Sequence, residues 1–218
     1  MDEFFGVLTG HWELFRNGFV ETAKLFGISA VGSLALGIAL AAARVCPVPV
    51  LRAFGAVYVN LVRNTPLTLV FAFLVFAVPK LDVDIDYFDS ACVALTVYTA
   101  AFICEVVRSG VNTVPAGQAE AARALGLTFI QVLGSVVLPQ ALRAMVPPLV
   151  SVLIAMLKNT TIAAGFSVFQ AGSIPDYMSE LGEPQFAVLT WITIGFMLLI
   201  LPLVLLQRFL ERVWAVGR

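Results

Sequence analysis

Residues 18–45 read GFVETAKLFGISAVGSLALGIALAAARV. Nineteen residues separate Lys24 from the next charge at Arg44, close to the ~20 apolar residues a helix needs to cross the hydrocarbon core of a bilayer. Gly32, Ser33, Gly37 and Ala41 recur at helical spacing, so a second helix can approach this one closely. A span is expected over about 19–43. The CPVPV that follows cannot continue it, because Pro47 and Pro49 remove amide donors and clash with the preceding turn.

Further apolar blocks follow. Of 218 residues, 60% are hydrophobic and only 12% charged, and the mean hydropathy is +0.96, values that exclude an ordinary water-soluble domain. The second span is expected over about 54–78, broken in its middle by Asn60, Arg63, Asn64, Thr65 and Pro66. The third is expected over 91–108, the fourth over 148–168 with Lys158, Asn159, Thr160 and Thr161 inside it, and the fifth over 186–206. The chain thus reads as one all-α integral membrane domain of five transmembrane helices.

An odd number of spans puts the termini on opposite sides. Arg44, Arg52, Arg123, Arg143, Arg208, Arg212 and Arg218 gather at the first and third loops and the C-terminus. The second and fourth loops carry Lys80 against seven acids: Asp82, Asp84, Asp86, Asp89, Asp176, Glu180 and Glu183. Positive charge stays on the cytoplasmic side, so the N-terminus is expected outside, the C-terminus in the cytoplasm, and the loop over 115–139 facing the cytoplasm. The acidic start MDEFFGVLTG lacks the pattern of a cleaved signal peptide.

That cytoplasmic loop contains E-A-A-R-A-L-G from Glu120 to Gly126, then nine residues, then V-V-L-P from Val136 to Pro139. It resembles the EAA signature of ATP-binding-cassette importer permeases, with Val136 in place of isoleucine. G-F-V-E-T at 18–22, R-N-T-P-L at 63–67, E-V-V-R-S-G at 105–110, L-P-Q-A-L-R at 138–143 and K-N-T-T-I at 158–162 resemble the branch that takes up polar amino acids such as histidine, arginine, glutamine and glutamate. The resemblance implies a type I ABC importer permease fold in the bacterial inner membrane. It further implies that Glu120, Ala121, Ala122, Arg123, Ala124, Leu125 and Gly126 form a coupling helix against a cytoplasmic ATPase dimer. A second permease, identical or paralogous, and an extracytoplasmic solute-binding protein would complete the assembly.

The residues support part of this independently. Alanines favour helix, and Gly126 supplies the left-handed position that ends one. No G-x-x-x-x-G-K-[ST] occurs, so ATP and Mg²⁺ belong to the partner ATPase; this chain is expected to carry no cofactor and no enzymatic activity.

For the solute site, ionisable groups inside spans face a cavity or a partner. Candidate substrate-binding residues are Asn60, Arg63, Asn64, Thr65, Thr68, Glu105, Asn159, Thr160 and Thr161. Asn60, Asn64 and Thr68 would form one stripe on a continuous helix, and Pro66 would free the carbonyl of Val62 for a substrate ammonium. Arg63 suits a carboxylate clamp or a pair with Glu105. Glu105 in turn suits the substrate ammonium or an i, i+3 pair with Arg108, and the threonines suit substrate binding or interhelical hydrogen bonding. Counting along helices places Asn64 and Asn159 each ~15 Å from a helix end, near the bilayer middle. Glutamate or glutamine would match Arg63 and the asparagines; a cationic amino acid would use Glu105.

Rival classes fare worse. A membrane-embedded enzyme needs clustered acids, histidines or a nucleophile inside the spans, and none occurs. Cys46, Cys92 and Cys104 lack metal-ligand spacing, and His11 stands alone beside Trp12 and Phe15 in an expected interfacial helix, so no metal site is implied; a net charge of −1 points to no nucleic-acid surface. A passive polar-solute channel or other membrane scaffold is the alternative, but it leaves the EAA segment without a purpose.

Overall fold

The computed structural model describes residues 2–214, and the described residues that form regular structure are helical. Arg218, the last of the C-terminal arginines, lies outside them. The helices are α1 (Asp2–Gly10), α2 (Trp12–Val45), α3 (Pro49–Arg63), α4 (Leu67–Ala72), α5 (Tyr87–Asn112), α6 (Ala116–Ala124), α7 (Phe129–Val132), α8 (Leu138–Asn159), α9 (Ile174–Glu180) and α10 (Gln185–Trp214).

Four helical runs are long and apolar enough to cross a membrane, and the bent pair α3–α4 makes a fifth. Each expected span has a helical counterpart, the second only as the bent pair, and most of these helices run past the apolar limits at both ends, although the fourth stops at Phe166. α2 starts at Trp12 rather than near 19, α5 covers Tyr87–Asn112 rather than 91–108, and α10 continues to Trp214. Hydropathy marks only the lipid-facing part of a helix, whereas backbone hydrogen bonding continues through the headgroup region. The expected interfacial helix ends at Gly10, so Trp12 and Phe15 belong to the first span itself.

The fourth passage differs most. One helical run extends from Phe129 to Phe166, through a π-helical turn at Leu133–Val137 and a 3-10 segment at Thr160–Phe166. The part of the 115–139 loop after Phe129 is therefore the foot of the fourth helix. Pro139 follows directly on the π-helical turn, where the regular α-helical ladder is already interrupted, so its missing amide falls at that irregularity.

α5 is the central helix. Of its most apolar window 56% is buried, against 11% for α10, so α10 lies on the outside of the bundle. α2 packs along α5 through its small residues: a Cβ at Gly37 would stand 2.6 Å from Ile103 Cγ2, and one at Gly32 would stand 2.9 Å from Thr96 Oγ1. Leu40 and Ala41 of α2, Val59 of α3, and Ala100, Ala101 and Cys104 of α5 form one buried cluster. Leu25, Phe71, Leu95 and Met156 join α2, α4, α5 and α8 in another.

The second span bends by 103° between Arg63 and Leu67. Pro66 cannot donate, and the residues before it close the helix end locally: Asn64 Nδ2 donates to Asn60 O (2.7 Å) and Thr65 Oγ1 to Leu61 O (2.8 Å). Two expectations are corrected here. Asn60, Asn64 and Thr68 do not share one helical stripe, because Thr68 lies beyond the break. The carbonyl of Val62 is not free either, since the amide of Thr65 donates to it at 3.2 Å.

A buried polar node holds the other broken end. Gln170 is fully buried; its Oε1 accepts from the amide of Gly172 (2.6 Å) and its Nε2 donates to Thr161 O (3.4 Å). The amide of Ala171 donates to Thr22 Oγ1 of α2 at 3.0 Å. The return after α8 is thus pinned to the first span by satisfied hydrogen bonds rather than by apolar packing alone.

Candidate functional site

Glu105 stands where α2, α3 and α5 converge, and an arginine from each helix surrounds its carboxylate. Arg44, at the end of α2, donates through Nη1 to Oε1. Arg108, one turn further along α5, donates through Nη2 to Oε2 at 2.8 Å. Arg63, the last residue of α3, holds its Nη1 4.0 Å from Oε1, beyond hydrogen-bond range. Three guanidinium groups against one carboxylate leave an excess of two positive charges. Arg63 is the most exposed of the three, at 43% against 15% for Arg44 and 35% for Arg108, so it is the group with charge to offer a solute.

Arg63 also lies over an aromatic face, with its guanidinium carbon 5.3 Å from the centre of the Phe102 ring. Phe102 in turn packs beside Tyr98, ring centres 5.1 Å apart. Tyr98, Phe102 and Glu105 are spaced i, i+4, i+7, so they form one stripe of α5, ~10 Å long. Asn159 reaches the same stripe from the end of α8. It lines a pocket of about 220 Å³ with Tyr98, Thr99 and Phe102 against Val152, Ala155 and Met156. The arrangement offers an amide at one end, two rings between, and a cation beside a carboxylate at the other. Such a face can hold a zwitterion by charge and by its apolar stem.

The structure therefore brings together three of the nine candidate substrate residues: Arg63, Glu105 and Asn159. Asn60, Arg63, Asn64 and Thr68 are all exposed, but Asn64 and Thr65 direct their polar groups to their own helix end. Thr160 is buried and donates to Leu157 O at 2.7 Å; Thr161 is exposed and donates to Lys158 O at 2.8 Å. These hydroxyls are satisfied within their own segment. Arg44, Tyr98 and Phe102 went unrecognised in the sequence. The i, i+4, i+7 spacing could have pointed to the two aromatics, but nothing local relates Arg44 to a residue 61 positions away.

Glu120–Ala124 of the EAA segment form the second half of α6, which starts at Ala116, before the expected helix; Leu125 and Gly126 lie past its end, which follows a Schellman pattern. Gly126 adopts φ +86°, its amide donates to Arg123 O (2.9 Å), and the amide of Leu127 donates to Ala122 O (3.2 Å). Thr128 and Gln131 then cap one another's backbone to start α7. Glu120, Ala121, Arg123, Ala124, Leu125 and Gly126 are exposed, whereas Ala122 is buried at 6% and faces the protein, so its side chain is not on the surface available to a partner. Leu125, Phe129 and Ile130 are 85%, 65% and 79% exposed, an apolar tip with nothing over it in this chain.

Comparison with known proteins agrees with this architecture. The sequence profile of the family described as binding-protein-dependent transport system inner membrane component matches residues 33–215. The chain is 42% identical over 198 residues to the glutamate transport system permease protein GluC of Corynebacterium efficiens, covering 85% of this chain and 87% of that one. It is 32% identical over 206 residues to the probable glutamine ABC transporter permease protein GlnM of Bacillus subtilis, covering 94% and 95%. A crystal structure of an amino acid ABC transporter with histidines superposes with a TM-score of 0.88 at 24% identity, covering 94% of this chain and 96% of that one, a likeness of fold. The chain is a multi-pass membrane protein and belongs to the family of binding-protein-dependent transport system inner membrane components.

Proposed function

We propose that this chain is the permease subunit of an ATP-driven importer that carries polar amino acids, with glutamate or glutamine as the favoured solutes. The observation that carries the reading is the exposed guanidinium of Arg63, held over Phe102 beside a carboxylate that two other arginines already neutralise. A planar fork of donors matches a carboxylate in two hydrogen bonds, and the excess positive charge favours an anionic or amide-bearing solute over a cationic one. The names of the glutamate and glutamine relatives point the same way.

In this reading the face Tyr98–Phe102–Glu105 lines the path, with Asn159 nearer the middle of α5. The exposed side of α6 with Leu125, Phe129 and Ile130 docks on a cytoplasmic ATPase, where ATP and Mg²⁺ act. The N-terminus lies outside the inner membrane and the C-terminus inside. A second permease and a solute-binding protein complete the machine.

The test is uptake by proteoliposomes containing the chain with its copurifying ATPase and binding protein. ATP-dependent accumulation of labelled glutamate or glutamine, resistant to excess arginine, is expected. Accumulation without ATP would make the protein a channel, and ATP-dependent uptake of arginine alone would transfer the site to Glu105.

A further inference from the structure

An apolar concavity lies away from this face, on the outer side of the bundle. A groove of about 520 Å³ runs between the first halves of α2 and α10, with Leu8 of α1 at one end. Its volume is in the ~300–1,000 Å³ range of small-molecule sites. On the α2 wall it follows residues 12, 15, 16, 19, 20 and 23, and on the α10 wall residues 191, 194, 195, 198 and 199. Both sets are single helical stripes, and at 1.5 Å per residue they give a trough ~12–16 Å long that follows the helix axes.

The floor depends on a glycine. A Cβ at Gly195 would collide with the ring of Phe19, so any larger residue would push that ring into the groove. The two ends differ in chemistry. Trp12 and Trp191 flank the upper end, where indoles sit at headgroup level, and Arg16 provides the one charge on the lining. Beyond Arg16 the groove holds only Phe19, Val20, Ala23, Ile194, Gly195, Leu198 and Leu199. Among the described residues no carboxylate lies within salt-bridge distance of Arg16, whose recorded side-chain contact is Asn17 Oδ1 at 3.4 Å.

A trough with a cation at one end and hydrocarbon along the rest is complementary to an amphiphile with one anionic head. Its position is consistent with this, because the rest of the chain covers only 11% of the apolar window of α10 and leaves an apolar outer face. We infer that the α2–α10 groove is a binding site for an acyl chain of an anionic phospholipid, whose phosphate pairs with Arg16. The bound chain fills the gap between α2 and α10 and bridges the two helices.

The experiment uses the assembled transporter in vesicles of phosphatidylcholine doped with a trace of phosphatidylglycerol or phosphatidylcholine bearing a diazirine in the acyl chain. Adducts on this chain are mapped by mass spectrometry after irradiation, and size-exclusion chromatography confirms that each variant is assembled. Adducts at Phe19, Ile194 and Leu198 are expected, about fivefold more from phosphatidylglycerol than from phosphatidylcholine, the discrimination one cation near the membrane surface supplies. Arg16→Gln should equalise the two lipids, and Ala23→Phe, at an exposed position on the rim, should reduce adducts from both. Equal labelling by both lipids in the unmodified protein, or a preference that survives Arg16→Gln, would overturn the inference. So would an unlabelled groove beside labelled Leu205 and Phe209, which would mean that a second protein chain covers it.

Discussion

Arg44 Nη1 donates to Glu105 Oε1, so the end of the first span is bound to the last third of the third by charge as well as by packing. Both groups are mostly shielded, with side-chain exposures of 15% and 20%. Removing one partner leaves the other in poor solvent with its remaining neighbours. Arg44→Ala is expected to cost ~1–3 kcal/mol, between the values for exposed and fully buried pairs. Thermal unfolding of the detergent-solubilised protein would measure it, and the double change with Glu105→Ala should cost clearly less than the two single changes combined.

Arg63 behaves differently, because Glu105 keeps two closer arginines without it. Arg63→Ala should leave folding and assembly intact while reducing uptake by about tenfold or more, the scale of a lost charge-assisted interaction. Arg63→Lys keeps the charge and loses the planar fork, so it should fall between. The double variant Arg63→Ala with Glu105→Ala should stay inactive. Recovered uptake in that double variant would make Arg63 a structural counter-charge only.

At the end of α6, Gly126→Ala forces a Cβ into a left-handed conformation, although no neighbour stands within 4 Å of it. The strain is ~1–2 kcal/mol and is confined to the turn. Leu125→Asp changes only an exposed tip. Both variants should insert normally and lose ATPase copurification, with the loss larger for Leu125→Asp. Ala122→Glu should instead damage the loop itself, because Ala122 is buried, so a protease digest of the isolated chain would show new cleavage there in that variant alone.

Gln170→Leu removes the acceptor for the amide of Gly172 and the donor to Thr161 O in a fully buried setting. A loss of ~2–4 kcal/mol is expected from two orphaned backbone groups. The melting temperature should drop while glutamate affinity of the surviving folded fraction, read by isothermal titration, stays unchanged.

Topology has a direct readout. In a background with Cys46, Cys92 and Cys104 replaced by serine, Ala121→Cys should react with an impermeant maleimide only in inside-out vesicles, and Asp84→Cys only in right-side-out vesicles. Reversed labelling would invert the orientation drawn from the arginine distribution.

The sequence by itself determined that the chain is built of long apolar helices, where the second span is interrupted, and where α6 ends. Each of these follows from a local quantity: the length of an uncharged run, a proline without an amide donor, or a glycine at a helix terminus. Three things were decided only by the tertiary structure: the 103° bend, the partnership of Arg44 with Glu105, and the meeting of Asn159 with Tyr98 and Phe102. The sequence shows that Pro66 breaks a helix, but the direction of the outgoing segment depends on where Leu67 and Phe71 find burial against α5 and α8. Likewise, spacing along one helix places Glu105 near Arg108, whereas the arginine at the end of α2 reaches it only because Gly37 lets α2 lie against Ala100 and Ile103. Local pattern sets the elements; contacts between residues far apart in the chain set the charge that a solute would meet.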